Sequence, residues 1–192
     1  MKGWVTLFGL AAVMHAAGAV EIGKPIPDFE AQTTAGPVKK SDFAGRWLVL
    51  YFYPKSFTPG CTRQICSVRD GFAALQEMNV AVLGVSVDSV DRQREFKKKH
   101  DAPFDLVADE DKALARAFDN VALGGLMARR RTFIVAPDGT LAAVLENPDV
   151  GDHAAQIAKE IRRLQDRPRA GSPSKPAPAE APAASGVPPA AS

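Results

Sequence analysis

Trp47-Leu48-Val49-Leu50-Tyr51-Phe52-Tyr53 is an unbroken apolar run that stops at Pro54 and gives way to Lys55-Ser56-Phe57-Thr58-Pro59-Gly60-Cys61-Thr62-Arg63-Gln64-Ile65-Cys66. A strand with one wet face alternates polar and apolar residues, so a run without alternation belongs to a strand buried on both faces. Such a strand needs cover above and below it. Outward along the chain, Val80 to Val87 is a second run of the same kind and Thr132 to Ala136 a third. Pro137-Asp138-Gly139 is a turn signal that leads into Leu141 to Leu145, which predicts an antiparallel hairpin. Helical spacing fills the gaps: Val68, Phe72 and Leu75 lie at i, i+4 and i+7, and Ile157, Ile161 and Leu164 repeat the pattern. Further helices are expected from about Asp91 through Phe96 to His100 and from Lys112 to Phe118. Strands alternating with helices predict an α/β fold, a central mixed sheet flanked by helices in a single domain.

The two ends differ from this unit. Lys2 followed by the apolar stretch Trp4 to Met14 and the small residues Ala17-Gly18-Ala19 has the form of an export signal over residues 1–19, with cleavage before Val20. The expected destination is an oxidising extracytoplasmic space, most simply a periplasm. Residues 167–192 hold seven of the 15 Pro and eight Ala, and their one larger aliphatic is Val187, so a disordered Pro/Ala-rich tail is expected there. The folded unit is accordingly residues 20–166. With 24 Lys and Arg against 22 Asp and Glu, the net charge of +2 offers no electrostatic footprint for nucleic acid. No apolar run long enough to span a bilayer follows the leader.

Chemistry concentrates where the first central strand meets the next helix, because both cysteines of the chain, Cys61 and Cys66, are there. Ligands bind beyond the carboxyl ends of strands in open α/β sheets. At the first turn of the following helix, unpaired N–H groups and the helix dipole favour the thiolate over the thiol, which makes Cys61 nucleophilic. An inert structural staple is the alternative, but a loop of about five residues removes little entropy from the unfolded chain. Five residues along an ideal helix separate two Cα atoms by roughly 8.7 Å. A disulfide needs about 4.4–6.8 Å, so the pair can join only if the helix unwinds, which suits a redox cycle.

Pro54-x-x-x-Thr58-x-x-Cys61 resembles the peroxidatic signature of the peroxiredoxins, and the string from Tyr51 to Cys66, with its second cysteine, resembles the Q-type subgroup, also called bacterioferritin comigratory protein. The likeness continues through Gly84 to Ser89, through Arg130-x-Thr132-Phe133 and through Pro137-Asp138-Gly139. It implies a thioredoxin-like fold and a thiol peroxidase without metal, haem or flavin, acting on hydrogen peroxide and organic hydroperoxides. It further implies that Cys61 becomes a sulfenic acid, that Cys66 resolves it as an intramolecular disulfide, and that a thioredoxin-like reductant protein reopens the bond. Thr58, the Cys61 N–H and an Arg would supply donors to the departing oxygen, and Pro54 would shield the sulfur. Arg129, Arg130 and Arg131 are adjacent; the family places its Arg three positions before the strand Phe, which selects Arg130. A plain loop or capping role is the other reading of Thr58.

Two departures bear on substrate preference. Ser56-Phe57 stands where a polar, often acidic pair is common, which predicts a more apolar pocket mouth, and Asp119 to Met127 is shorter and more apolar than its usual counterpart. With no third cysteine, an intersubunit disulfide is not needed, and a monomer is expected. A second hypothesis is an exported Sco-like copper-binding assembly protein using both cysteines and either His100 or His153, against which the cysteine spacing argues.

Overall fold

The computed structural model describes residues 20–167. The expected leader, and the expected tail beyond its first residue, lie outside the described residues. The apolar run that begins at Trp47 is strand β3 (Trp47–Phe52), every residue of it buried. It lies inside a seven-stranded sheet that also contains β1 (Glu30–Thr33), β2 (Gly36–Lys39), β4 (Val80–Ser86), β5 (Asp105–Ala108), β8 (Arg131–Val135) and β9 (Leu141–Glu146), ordered β2-β1-β5-β4-β3-β8-β9. The pairs β3/β4 and β4/β5 are parallel, and the other pairs are antiparallel, so the sheet is mixed as expected. The predicted hairpin joins β8 to β9, with Gly139 at φ +82° supplying the left-handed position of the turn. A two-stranded ribbon, β6 (Val121–Ala122) and β7 (Met127–Ala128), stands apart from the main sheet.

Alternation along β3 divides the core into two layers. Val49, Tyr51 and Tyr53 face one way, against α1 (Pro59–Asp70), α2 (Phe72–Glu77), α3 (Val90–Lys99) and α5 (His153–Gln165), through Ile65, Val68, Leu75, Phe96, Ile157 and Ile161. Leu48, Leu50 and Phe52 face the other way, toward Phe133, Phe118 and α4 (Ala113–Ala117). Among the described residues, no helix is long and apolar enough to cross a membrane.

Two features differ from the sequence expectation. The helix expected through Val68, Phe72 and Leu75 is interrupted at Gly71, which separates α1 from α2. The cause is a close approach: a Cβ at Gly71 would lie 2.4 Å from the Ala154 Cβ at the start of α5. Strands β1, β2 and β5 were not anticipated; each has four residues, and the first two form a half-exposed edge hairpin. Close packing also appears at Gly84 on β4, where a Cβ would lie 2.6 Å from the Tyr51 phenol. Gly84→Ala should therefore overpack the core and lower stability by about 1–3 kcal/mol. Thermal unfolding checks this, and an unchanged Tm would show that Tyr51 can sit elsewhere.

Candidate active site

Beyond β3 the chain leaves the sheet at Pro54 and turns through Phe57, whose φ of +67° is left-handed and unusual for an aromatic residue. Buried contacts hold this turn from behind. The Ser56 N–H donates to Asp88 Oδ2 at 2.7 Å, and the Ser56 hydroxyl donates to Gln93 Oε1 at 3.3 Å. Asp88 also accepts from the Ser86 hydroxyl at 2.8 Å and pairs with Arg92 at 3.4 Å. The Phe57 ring meets Phe96 edge-on at 5.0 Å and lies under the Arg92 guanidinium at 4.8 Å. Ser56 is thus a buried anchor and Phe57 packs on α3, which corrects the expectation that this pair makes the mouth apolar. Beside Pro54 a groove of about 360 Å³ is lined by the apolar Ala122, Leu123 and Met127 and by the charged Arg129, Arg130, Arg131 and Glu146, among others. Leu123 and Leu126 on the same ribbon are 68% and 70% exposed.

Thr58 is the N-cap residue of α1, extended at φ −82°, ψ 150°, and Pro59 opens the helix where a missing N–H costs nothing. The Thr58 hydroxyl makes no capping bond; it donates to the Lys55 carbonyl at 3.1 Å. The first helical bond runs from the Thr62 N–H to the Thr58 carbonyl at 2.8 Å, so the Gly60 and Cys61 N–H groups precede the intrahelical ladder. The Cys61 side chain is buried at this positive helix end, 2% exposed.

Of the three adjacent arginines, one reaches the sulfur. Arg130 NH2 donates to Cys61 Sγ at 3.2 Å, passing over Gly60, where a Cβ would stand 3.4 Å from it. Arg129 instead donates to the Val121 carbonyl at 3.0 Å, and Arg131 pairs with Glu146 at 2.7 Å. The arginine in contact with Cys61 is thus Arg130, the one the family resemblance selects, placed one position before β8.

Cys66 shares the unbroken helix α1 with Cys61, is half-buried, and like Cys61 is a free thiol. Its Sγ lies 3.8 Å from His100 Nδ1. Burial, then Lys99 and Arg69 nearby, lower the His100 pKa from its ordinary value.

Sequence reasoning missed Gln64, which is fully buried and donates through Nε2 to His153 Nδ1 at 3.2 Å while its Oε1 accepts from Arg130 NH1. His153 Nε2 lies 2.8 Å from Thr132 Oγ1. Burial chiefly, with the Arg130 charge second, pushes the His153 pKa down to about 3, so the ring is neutral here. The available signal was the position of Gln64 three residues after Cys61, which places both on one helix face. Both nitrogens of His153 are occupied by Gln64 and Thr132, away from either cysteine, contrary to a role as copper ligand beside them. Among the described residues no cluster of three or more His, Cys, Asp or Glu stands close enough to hold a metal ion.

A mixed sheet with a guanidinium-paired thiol at a helix start and a second thiol in the same helix defines a thiol-based redox enzyme. Residues 22–144 match the AhpC/TSA family, to which the chain belongs; it is a peroxiredoxin, a thiol-dependent peroxidase. Peroxiredoxin Bcp of Bacillus subtilis is 36% identical over 155 residues, covering 77% of this chain and 99% of that protein. The chloroplastic Peroxiredoxin Q of Oryza sativa subsp. japonica is 35% identical over 132 residues, 68% of this chain and 61% of that one. Among solved structures, a cysteine-to-serine mutant of Xylella fastidiosa PrxQ superposes with a TM-score of 0.72 at 27% identity, covering 78% of this chain and 99% of that one. A Xanthomonas campestris Peroxiredoxin Q mutant gives 0.69 at 31% identity, covering 74% and 98%.

Proposed function

We propose that Cys61 is the peroxidatic residue and Cys66 the resolving one. The Cys61 thiolate donates an electron pair to the terminal oxygen of a hydroperoxide; an S–O bond forms, the O–O bond breaks, and hydroxide or alkoxide leaves and takes a proton from water. Charge grows on the leaving oxygen, where the Arg130 guanidinium and the Cys61 N–H are available donors, while the Thr58 hydroxyl would have to leave the Lys55 carbonyl to join them. Pro54, with no N–H to attract water, borders the approach. The Cys66 thiol then attacks the sulfenic sulfur, releasing water and leaving the Cys61–Cys66 disulfide. A thioredoxin-type dithiol reduces it by exchange through a mixed disulfide. The observation that carries this reading is the 3.2 Å contact between Arg130 and Cys61 while both neighbouring arginines are engaged elsewhere.

The apolar ribbon beside Pro54 favours organic hydroperoxides along with hydrogen peroxide. A Xanthomonas campestris bacterioferritin comigratory protein, similar in structure with a TM-score of 0.69, has been described for its alkyl peroxide reduction activity. The leader pattern over residues 1–19 supports export to the periplasm. An intramolecular resolving step needs no partner subunit, so the working form is a monomer. Peroxide consumption by the metal-free protein with a thioredoxin-type reductant tests the function. Turnover is expected without added metal; copper binding without turnover would favour the carrier reading.

The resolving step also requires motion. Five helical residues separate the Cα atoms by roughly 8.7 Å, so disulfide formation must break several hydrogen bonds of α1, each worth about 0.5–1.5 kcal/mol net. Amide exchange over residues 58–68 should be markedly faster in the disulfide form than in the dithiol form, with β3 protected in both. Matching exchange in the two forms would mean that the cysteines meet without unwinding.

A further inference from the structure

We propose that His153 is a positioning residue for the peroxide step: neutral and fully enclosed, it fixes the Gln64 amide, and Gln64 in turn holds Arg130 against the Cys61 sulfur. The inference rests on the role given above to Arg130, and its logic is donor and acceptor bookkeeping. A guanidinium has only donors, so the Gln64 group facing Arg130 must be Oε1, and Gln64 Nε2 then points at His153. That nitrogen can only donate, so His153 Nδ1 must be the acceptor and the ring proton must sit on Nε2, where Thr132 Oγ1 accepts it at 2.8 Å. The tautomer is thereby fixed at both ends.

Packing holds the ring in place. His153 is the first residue of α5 and its ring meets Tyr51 edge-on at 5.6 Å. The next residue, Ala154, donates its N–H to the Ser67 hydroxyl at 3.3 Å and leaves no room for a side chain on Gly71. The start of α5 is thus docked on α1, directly across from Gln64. Without an acceptor at His153, the Gln64 amide is free to rotate and present Nε2 to the guanidinium, where two sets of donors repel. Arg130 then loses one of its two anchors, and a guanidinium misplaced by a fraction of an ångström loses much of its effect on a reacting sulfur.

The test follows single-turnover oxidation of Cys61 by hydrogen peroxide through single and double variants. His153→Leu should slow oxidation about tenfold, because the cation no longer sits squarely on the sulfur. His153→Asn, whose Oδ1 can accept from Gln64, should recover most of the rate. Thr132→Val, which removes the far end of the relay at nearly constant volume, should give a smaller loss in the same direction and covers the case in which His153→Leu fails to fold. In an Arg130→Ala background, His153→Leu should cost nothing further. A folded His153→Leu protein with the wild-type rate, or an equal further loss in the Arg130→Ala background, would overturn the proposal. If Arg130→Ala alone left oxidation unchanged, the fault would lie with the role of Arg130 itself.

Discussion

Cys61→Ser should reduce peroxide turnover to background, whereas Cys66→Ser should consume one equivalent of peroxide in a burst and cycle no further, leaving a sulfenic acid on Cys61 that only additional peroxide carries to a higher oxide. The difference follows from the two places in α1. Cys61 is buried at the positive helix end against Arg130, and a serine hydroxyl there is far less acidic and far less nucleophilic toward peroxide oxygen. Cys66 lies over a turn farther along, half-buried beside His100, and in the proposed cycle it is the one remaining thiol to condense with the sulfenic acid. Without it the oxidised sulfur waits for external thiol or more peroxide and climbs the oxidation ladder. Turnover by a Cys61→Ser protein would end the assignment, and continued thioredoxin-dependent cycling by Cys66→Ser would remove the resolving role. Stopped-flow peroxide consumption and a sulfenic-acid trapping reagent read both outcomes.

The second large effect is expected at Arg130. Removing one preorganised donor aimed at developing charge costs about 10²–10³ in rate, and Arg130→Ala removes a donor together with a positive charge 3.2 Å from the sulfur. The cysteine-oxidation step should slow by about 10²-fold. Arg130→Lys should rescue little, because one ammonium cannot bridge Cys61 and Gln64 as the guanidinium fork does. Arg129→Ala loses a bond to the Val121 carbonyl, and Arg131→Ala loses a surface pair with Glu146 worth about 0–1 kcal/mol of stability, so neither should approach that effect. Equal losses at Arg129 and Arg130 would show that charge near the strand entry matters rather than the specific contact.

The legible part of the molecule was the part governed by short-range pattern. An apolar run without alternation located β3, the Pro-Asp-Gly turn located the β8–β9 hairpin, and the motif placed Cys61 at the strand–helix junction where the structure has it. Arg130 was selected through the family pattern, since alternation alone separates it from Arg129 and Arg131 without saying which side faces the thiol. What escaped depends on contacts that local spacing does not encode. Gln64 and His153 are 89 residues apart and meet because α5 docks on α1, so a lone histidine read as a ligand candidate turned out to be a buried hydrogen-bond partner. The break at Gly71 likewise reflects Ala154 pressing from a distant helix, and the β1–β2 hairpin at the sheet edge carries too little apolar alternation to stand out. Ser56 was read as part of the mouth because it adjoins the motif, while the fold turns it inward onto Asp88 and Gln93.

The most direct measurement is the intact mass of the reduced, metal-free protein after one equivalent of hydrogen peroxide, combined with peptide mapping and thiol alkylation. The reading of Cys61 and Cys66 as a working pair predicts a monomer lighter by two hydrogens, a peptide joining Cys61 to Cys66, loss of both alkylation sites and their return on addition of a dithiol. An unchanged mass with both thiols still open to alkylation, or a disulfide-linked dimer in place of the internal bond, would contradict it.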